Sequence, residues 1–126
     1  MKLILAIAAG GALGAVSRHF VAQQAALWFG SAFPWGILTV NVAGSFILGI
    51  VVELSALAWS PSPAIRAMIV VGFCGAFTTF SSFSLDVAVL YERGDFLKAA
   101  LYIATSVICS IGALFAGMAL VRSIYP

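Results

Sequence analysis

Four long apolar runs, separated by three short polar interruptions, limit what this chain can fold into. The first run extends from Leu3 to about Phe29 and ends at Gly30, Ser31 and Pro34. The second, Trp35 to Trp59, stops at Ser60-Pro61-Ser62-Pro63. The third, Ile65 to Tyr91, precedes the turn Glu92-Arg93-Gly94-Asp95, and the fourth, Phe96 to Val121, is followed by Arg122 and Pro126. Each run reaches the ~20 residues that a helix needs to cross the hydrocarbon core, with some tilt. Connections of a few residues force consecutive helices to lie antiparallel. Trp28, Trp35, Trp59, Tyr91 and Tyr125 fall near the ends of the runs, where amphipathic rings favour the membrane interface.

Composition removes the soluble alternative. Of the 126 residues, 63% are hydrophobic and 8% are charged, whereas a soluble domain carries charge on about a quarter of its residues. The apolar surface therefore faces lipid. The net charge of +2 is scattered, which speaks against nucleic acid or a polybasic lipid patch. Cys74 and Cys109 lie in separate apolar runs with no metal-ligand spacing and read as small packing residues. The expected fold is all-α and integral to the membrane. It is a single domain over 1–126 with spans at about 3–29, 35–59, 65–91 and 96–121.

Two features of the first run bear on topology. Lys2, the apolar Leu3–Ala9 and the small residues near Gly14 and Ala15 have the pattern of a signal peptide. The apolar character resumes after Arg18-His19, however, and three more spans follow, which favours a retained first helix. Gly10 and Gly14 form a small-xxx-small pair suited to close helix contact. The charges give no clear orientation. One membrane side holds Lys2, Arg66 and Arg122, and the other holds Arg93 and Lys98, with Arg18 if that part of the first helix counts. Cytoplasmic loops normally carry the Lys and Arg excess, and here the bias is close to zero. A chain without a preferred orientation can insert both ways, and two inverted copies can pair about an axis in the membrane plane. Four helices are also few for a solvent pathway within one subunit. Both arguments point to a dual-topology antiparallel homodimer, against the plainer reading of a single orientation.

The third run is the unusual one. Its centre reads Gly72-Phe73-Cys74-Gly75-Ala76-Phe77-Thr78-Thr79-Phe80-Ser81-Ser82-Phe83-Ser84, with five hydroxyls in seven positions. One Ser or Thr can bond back to its own helix. Five in a cluster are better explained by a break in the helix, expected over Gly75 to Thr79, which is tolerated at this depth only where it is buried in protein or lines a wet path. Freed carbonyl oxygens at a break suit a hard cation such as sodium. In an antiparallel dimer only midplane atoms meet their own copies, so such an ion would act as a structural staple.

Phe80 and Phe83, three apart, share a helical face. They are either ordinary packing or a pair whose positive ring edges face a small anion. Asn41, inside the second run beside Thr39, is either inter-helical glue or an anion donor through its NH2. Tyr102, Ser106 and Ser110 recur at i, i+4, i+8 and form a hydroxyl stripe, a track or helix glue, with Thr105 beside it. Arg18 either snorkels to the interface or serves as a vestibule cation that concentrates anions. Asp86 is placed to pair with a polar partner. His19 reads as interfacial, and Glu53 as near the headgroups rather than a proton carrier. There are no paired carboxylates, His clusters, nucleophile–base pairs or phosphate loops, so no enzyme is expected. Neutral donors inside the membrane suit a small, strongly hydrated anion.

On these residues the whole chain resembles the small bacterial fluoride channels, the CrcB/Fluc family. The most specific parts are Gly-Phe-Cys-Gly followed by Thr78-Thr79-Phe80-Ser81-Ser82-Phe83-Ser84, together with Thr39-Val40-Asn41. The resemblance implies a fluoride-selective channel of the bacterial inner membrane that passively exports cytoplasmic fluoride. It implies an antiparallel dual-topology homodimer with two pores. It assigns the fluoride pathway to Phe80, Phe83, Asn41, Tyr102, Ser106 and Ser110, and Thr39, Thr79, Ser81 and Ser84 are expected along the same pathway. Arg18 matches a vestibule arginine, and the backbone carbonyls of Gly75 and Thr78 match the ligands of a central structural sodium. Ala76, Ser82 and Asp86 stand where the family more often has glycine, threonine and glutamate. Two other classes compete. A small multidrug exporter would need a carboxylate in the first helix, and this one has none. A non-conducting assembly subunit would use its intramembrane hydroxyls only as glue.

Overall fold

A computed structural model describes all 126 residues as helices joined by short turns, with no strand. Helix α1 spans Lys2–Phe29 and α2 spans Trp35–Leu57. The third crossing is composite. It consists of α3 (Pro63–Ala67), a π-helical segment (Met68–Cys74), α4 (Gly75–Phe77) and α5 (Phe80–Glu92). Helix α6 spans Phe96–Ile124. All four crossings are long and apolar enough to traverse a bilayer. At 1.5 Å per residue the 28 residues of α1 run to about 42 Å, so α1 tilts or projects beyond a core of ~30 Å.

Local chemistry sets the boundaries. Gly30, at φ 76°, ends α1 while its N–H bonds Ala26 O. Gly94, at φ 78°, turns the chain between α5 and α6. The third crossing starts at Pro63, two residues before the expected Ile65. Proline is compatible with the first helical turn, and the Ser62 hydroxyl accepts the Ile65 N–H. The second helix stops at Leu57 rather than Trp59, where the Ala58 and Trp59 N–H groups both converge on Leu54 O. The fourth continues past Val121 and takes in Arg122.

Glycines weld the crossings into two pairs. On α1, a Cβ at Gly10 or Gly14 would collide with the Met68 or Phe73 carbonyl, so α1 lies directly on the backbone of the third crossing. On the other pair, Gly49 of α2 faces the Leu114 carbonyl of α6, and Gly117 of α6 faces the Phe46 carbonyl of α2. This is the close approach that small residues permit where lipid supplies no hydrophobic drive between helices.

Little is enclosed. Only 19 of the 126 residues are buried, and large side chains such as Phe20, Ile108 and Phe115 point outward. A water-facing surface would not tolerate this much apolar area. The one buried cluster is small: Leu38, Phe83, Leu90, Ala99 and Tyr102 tie α5 to α2 and α6.

Candidate ion pathway at the helix break

The third crossing breaks at Thr78-Thr79. Their dihedrals, φ −82°, ψ 160° and φ −158°, ψ 125°, are extended. The interruption is narrower than the sequence expectation of Gly75 to Thr79, because Gly75–Phe77 stays helical. Upstream of Gly75–Phe77 lie seven π-helical residues, Met68–Cys74, with no signature in the sequence.

Each polar group at the break has a specific partner. Thr78 bonds back to Cys74 O through its hydroxyl, at 2.8 Å, and through its N–H, at 3.0 Å. Thr79 caps α5, its Oγ1 accepting the Ser82 N–H at 3.1 Å. The backbone of Thr79 is matched by the side chain of Asn41. The Thr79 N–H donates to Asn41 Oδ1 at 2.7 Å, and Asn41 Nδ2 donates to Thr79 O at 3.0 Å. Asn41 is therefore glue between α2 and the break, and its second amide hydrogen has no partner within the chain. Gly44, one turn along α2, leaves the room that the Thr78 methyl and the Phe77 ring occupy.

Arg18 reaches the same place from α1. Its Nη1 donates to Thr78 O at 3.2 Å. It does not run to the headgroups, so it drops out of the count of loop charges. Gly10, Gly14 and Arg18 stand at i, i+4, i+8, and the two glycines bring α1 close enough for the guanidinium to span the gap. The sequence carries this stripe, although the spacing of Gly10 and Gly14 alone predicts only a helix-packing pair.

A groove of about 400 Å³ opens beside the break, lined by residues that include Asn41, Gly75, Thr78, Thr79, Phe80, Phe83, Ser106 and Ser110. Phe83 is buried while Phe80 is 77% exposed, and their rings lie 5.4 Å apart at 50°. On the facing wall the Ser106 and Ser110 hydroxyls are buried and have no hydrogen-bond partner. Buried polar atoms are rarely left unpaired, and those that are call for an explanation.

The other expected site residues are placed differently. Tyr102 lies on the Ser106 face of α6 but is fully buried, and its hydroxyl donates to Asp86 Oδ2 at 3.0 Å. It packs on Phe83 at 5.1 Å and on Phe33 at 5.5 Å. Asp86 thereby has the polar partner that the sequence led one to expect. Thr39 and Ser84 are exposed and bond back to Trp35 O and Phe80 O. Ser81, also exposed, touches Thr79 Oγ1 at 3.2 Å. His19 is exposed against Phe20. Glu53 is buried and held by Arg122 through two bonds of 2.7 and 3.1 Å, a pair that no local sequence signal revealed.

Four antiparallel crossings, one broken and bordered at the break by a groove with free hydroxyls, define a multi-pass helical membrane protein with the elements of an ion-conducting path. Comparison with known proteins gives the family. The profile described as "CrcB-like protein, Camphor Resistance (CrcB)" matches residues 5–118, and the chain belongs to that family. It is 54% identical to the "Fluoride-specific ion channel FluC" of Rhodospirillum centenum over 123 residues, 98% of each chain. The protein of the same name from Nitrobacter winogradskyi is 52% identical over 96% of each chain. That from Chelativorans sp. is 51% identical over 98% of this chain and 99% of its own.

Proposed function

We propose that this protein is a fluoride-selective ion channel of the bacterial inner membrane that lets cytoplasmic fluoride leave passively, working as an antiparallel homodimer of inverted copies. The observation that carries this reading is the pair of buried, unpartnered hydroxyls, Ser106 and Ser110, in the groove that Phe80 and Phe83 also line. Hydroxyls can rotate to donate, and ring edges carry positive potential, so both can replace part of an anion's hydration shell without binding it as a fixed charge would. The relatives named as fluoride-specific channels support the choice of ion.

The same groove supports the dimer reading. Non-helical backbone is stable at this depth only where protein or water covers it, and an inverted copy laid over the groove would complete that cover. A structural sodium at the dimer centre fits the residues present. The N–H of Thr79, which would otherwise close the turn on Gly75 O, goes to Asn41 instead. Gly75 and Thr78 both border the groove, and no cluster of His, Cys, Asp or Glu competes for a transition metal. Carbonyl oxygens without a carboxylate suit a singly charged hard cation, which would join the two break regions. Phe80, Phe83, Ser106, Ser110 and Asn41 would line the path.

Fluoride efflux from liposomes, followed with a fluoride electrode, tests the reading. A fluoride-selective flux driven by the ion's own gradient is expected. Absence of flux from well-folded reconstituted protein would refute it.

A further inference from the structure

Arg18 is the one cationic side chain at the break. It is half-buried, and it takes no part in the chain's two ion pairs, Lys98–Asp95 and Arg122–Glu53. Its polar contact is the Thr78 carbonyl, at 3.2 Å. That carbonyl closes the first half of the broken crossing, and at ψ 160° it is turned out of the run of aligned helical carbonyls. The guanidinium therefore already supplies positive charge to an oxygen that a bound cation would also need.

We infer that Arg18 shares the Thr78 carbonyl with the cation at the break and sets how tightly that cation is held. This rests on the cation reading given above. Two effects act in the same direction. The hydrogen bond takes up one of the two lone pairs of the oxygen, and the guanidinium repels any cation on the same oxygen in a setting drier than bulk water. Both weaken cation binding, and the repulsion doubles for a divalent ion. Arg18 thus keeps the site weak and selective for single charge. No acidic residue lines the groove to offset that repulsion.

The test is a sodium titration of thermal unfolding, read by tryptophan fluorescence on the detergent-solubilised protein, with N-methylglucamine chloride holding ionic strength constant. Arg18→Gln and Arg18→Met remove the charge by two routes, so failure of one variant to fold leaves the other. Arg18→Lys keeps the charge. The sodium concentration for half-maximal stabilisation is expected to fall about tenfold or more in either neutral variant and to stay near the wild-type value in Arg18→Lys. An unchanged or higher midpoint in the neutral variants, with the wild type sodium-sensitive, would overturn the role of Arg18 alone. Insensitivity of the wild type and all variants would overturn the cation reading, and this inference with it.

Discussion

The side-chain amide of Asn41 pairs with both backbone groups of Thr79, accepting at 2.7 Å and donating at 3.0 Å. A single residue of α2 thus replaces the neighbouring turn that the broken crossing lacks. The break exists at this depth because Asn41 satisfies it.

Replacing Asn41 with leucine would leave the Thr79 N–H and C=O unpaired in a low-dielectric setting. Each such group costs ~1–3 kcal/mol. Asn41→Leu should therefore lower stability by about 2–6 kcal/mol. Asn41→Asp keeps the acceptor but sets oxygen against Thr79 O, and should also destabilise. Thermal unfolding in detergent measures both. Wild-type stability in Asn41→Leu would mean that the pairing has no structural weight.

Ser106 and Ser110 should behave in the opposite way. Their hydroxyls bond to nothing within the chain, so Ser106→Ala and Ser110→Ala should keep or slightly raise stability, changing it by less than about 1 kcal/mol. If the groove conducts, fluoride flux should fall several-fold in each single variant and further in the double. Stable proteins with undiminished flux would place both hydroxyls outside the path.

The four spans follow from run length alone, because a helix in hydrocarbon satisfies its backbone internally and a span needs a fixed number of apolar residues. The break was marked by hydroxyls at Thr78 to Ser84, yet its width was overstated, since composition flags a region and dihedrals decide which residues leave the helix. The π-helical Met68–Cys74 left no trace, because its residues are as apolar as those of an α-helical span. The targets of Arg18 and Glu53 lie 60 and 69 residues away in sequence. Long side chains find such partners only after the helices have packed. For the aromatic pair, spacing marks the shared helix face but not which member is enclosed: Phe83 is buried while Phe80 stands out.

Glycine substitutions should separate welded positions from free ones. A Cβ at Gly49 or Gly117 would press on the carbonyl of the facing helix, whereas nothing lies within 4 Å of one at Gly112. Gly49→Ala or Gly117→Ala should cost about 1–3 kcal/mol through forced separation of α2 and α6. Gly112→Ala should be neutral or slightly stabilising within the protomer, since alanine favours helix. The same unfolding assay orders the three. A marked loss in Gly112→Ala would reveal a close approach from outside the protomer.

The Glu53–Arg122 pair gives an asymmetric prediction. Glu53 is buried on α2, and Arg122 reaches it from the last turn of α6 with its own side chain 61% exposed. Glu53→Gln frees an arginine whose long stem can carry its charge to the interface. Arg122→Gln leaves a short carboxylate enclosed without its cation, the costlier way to break a buried pair. Arg122→Gln should therefore lower the unfolding temperature more than Glu53→Gln. The double variant should lie above Arg122→Gln, because it removes the stranded charge. Equal losses in the two single variants, adding in the double, would show that the two side chains act independently.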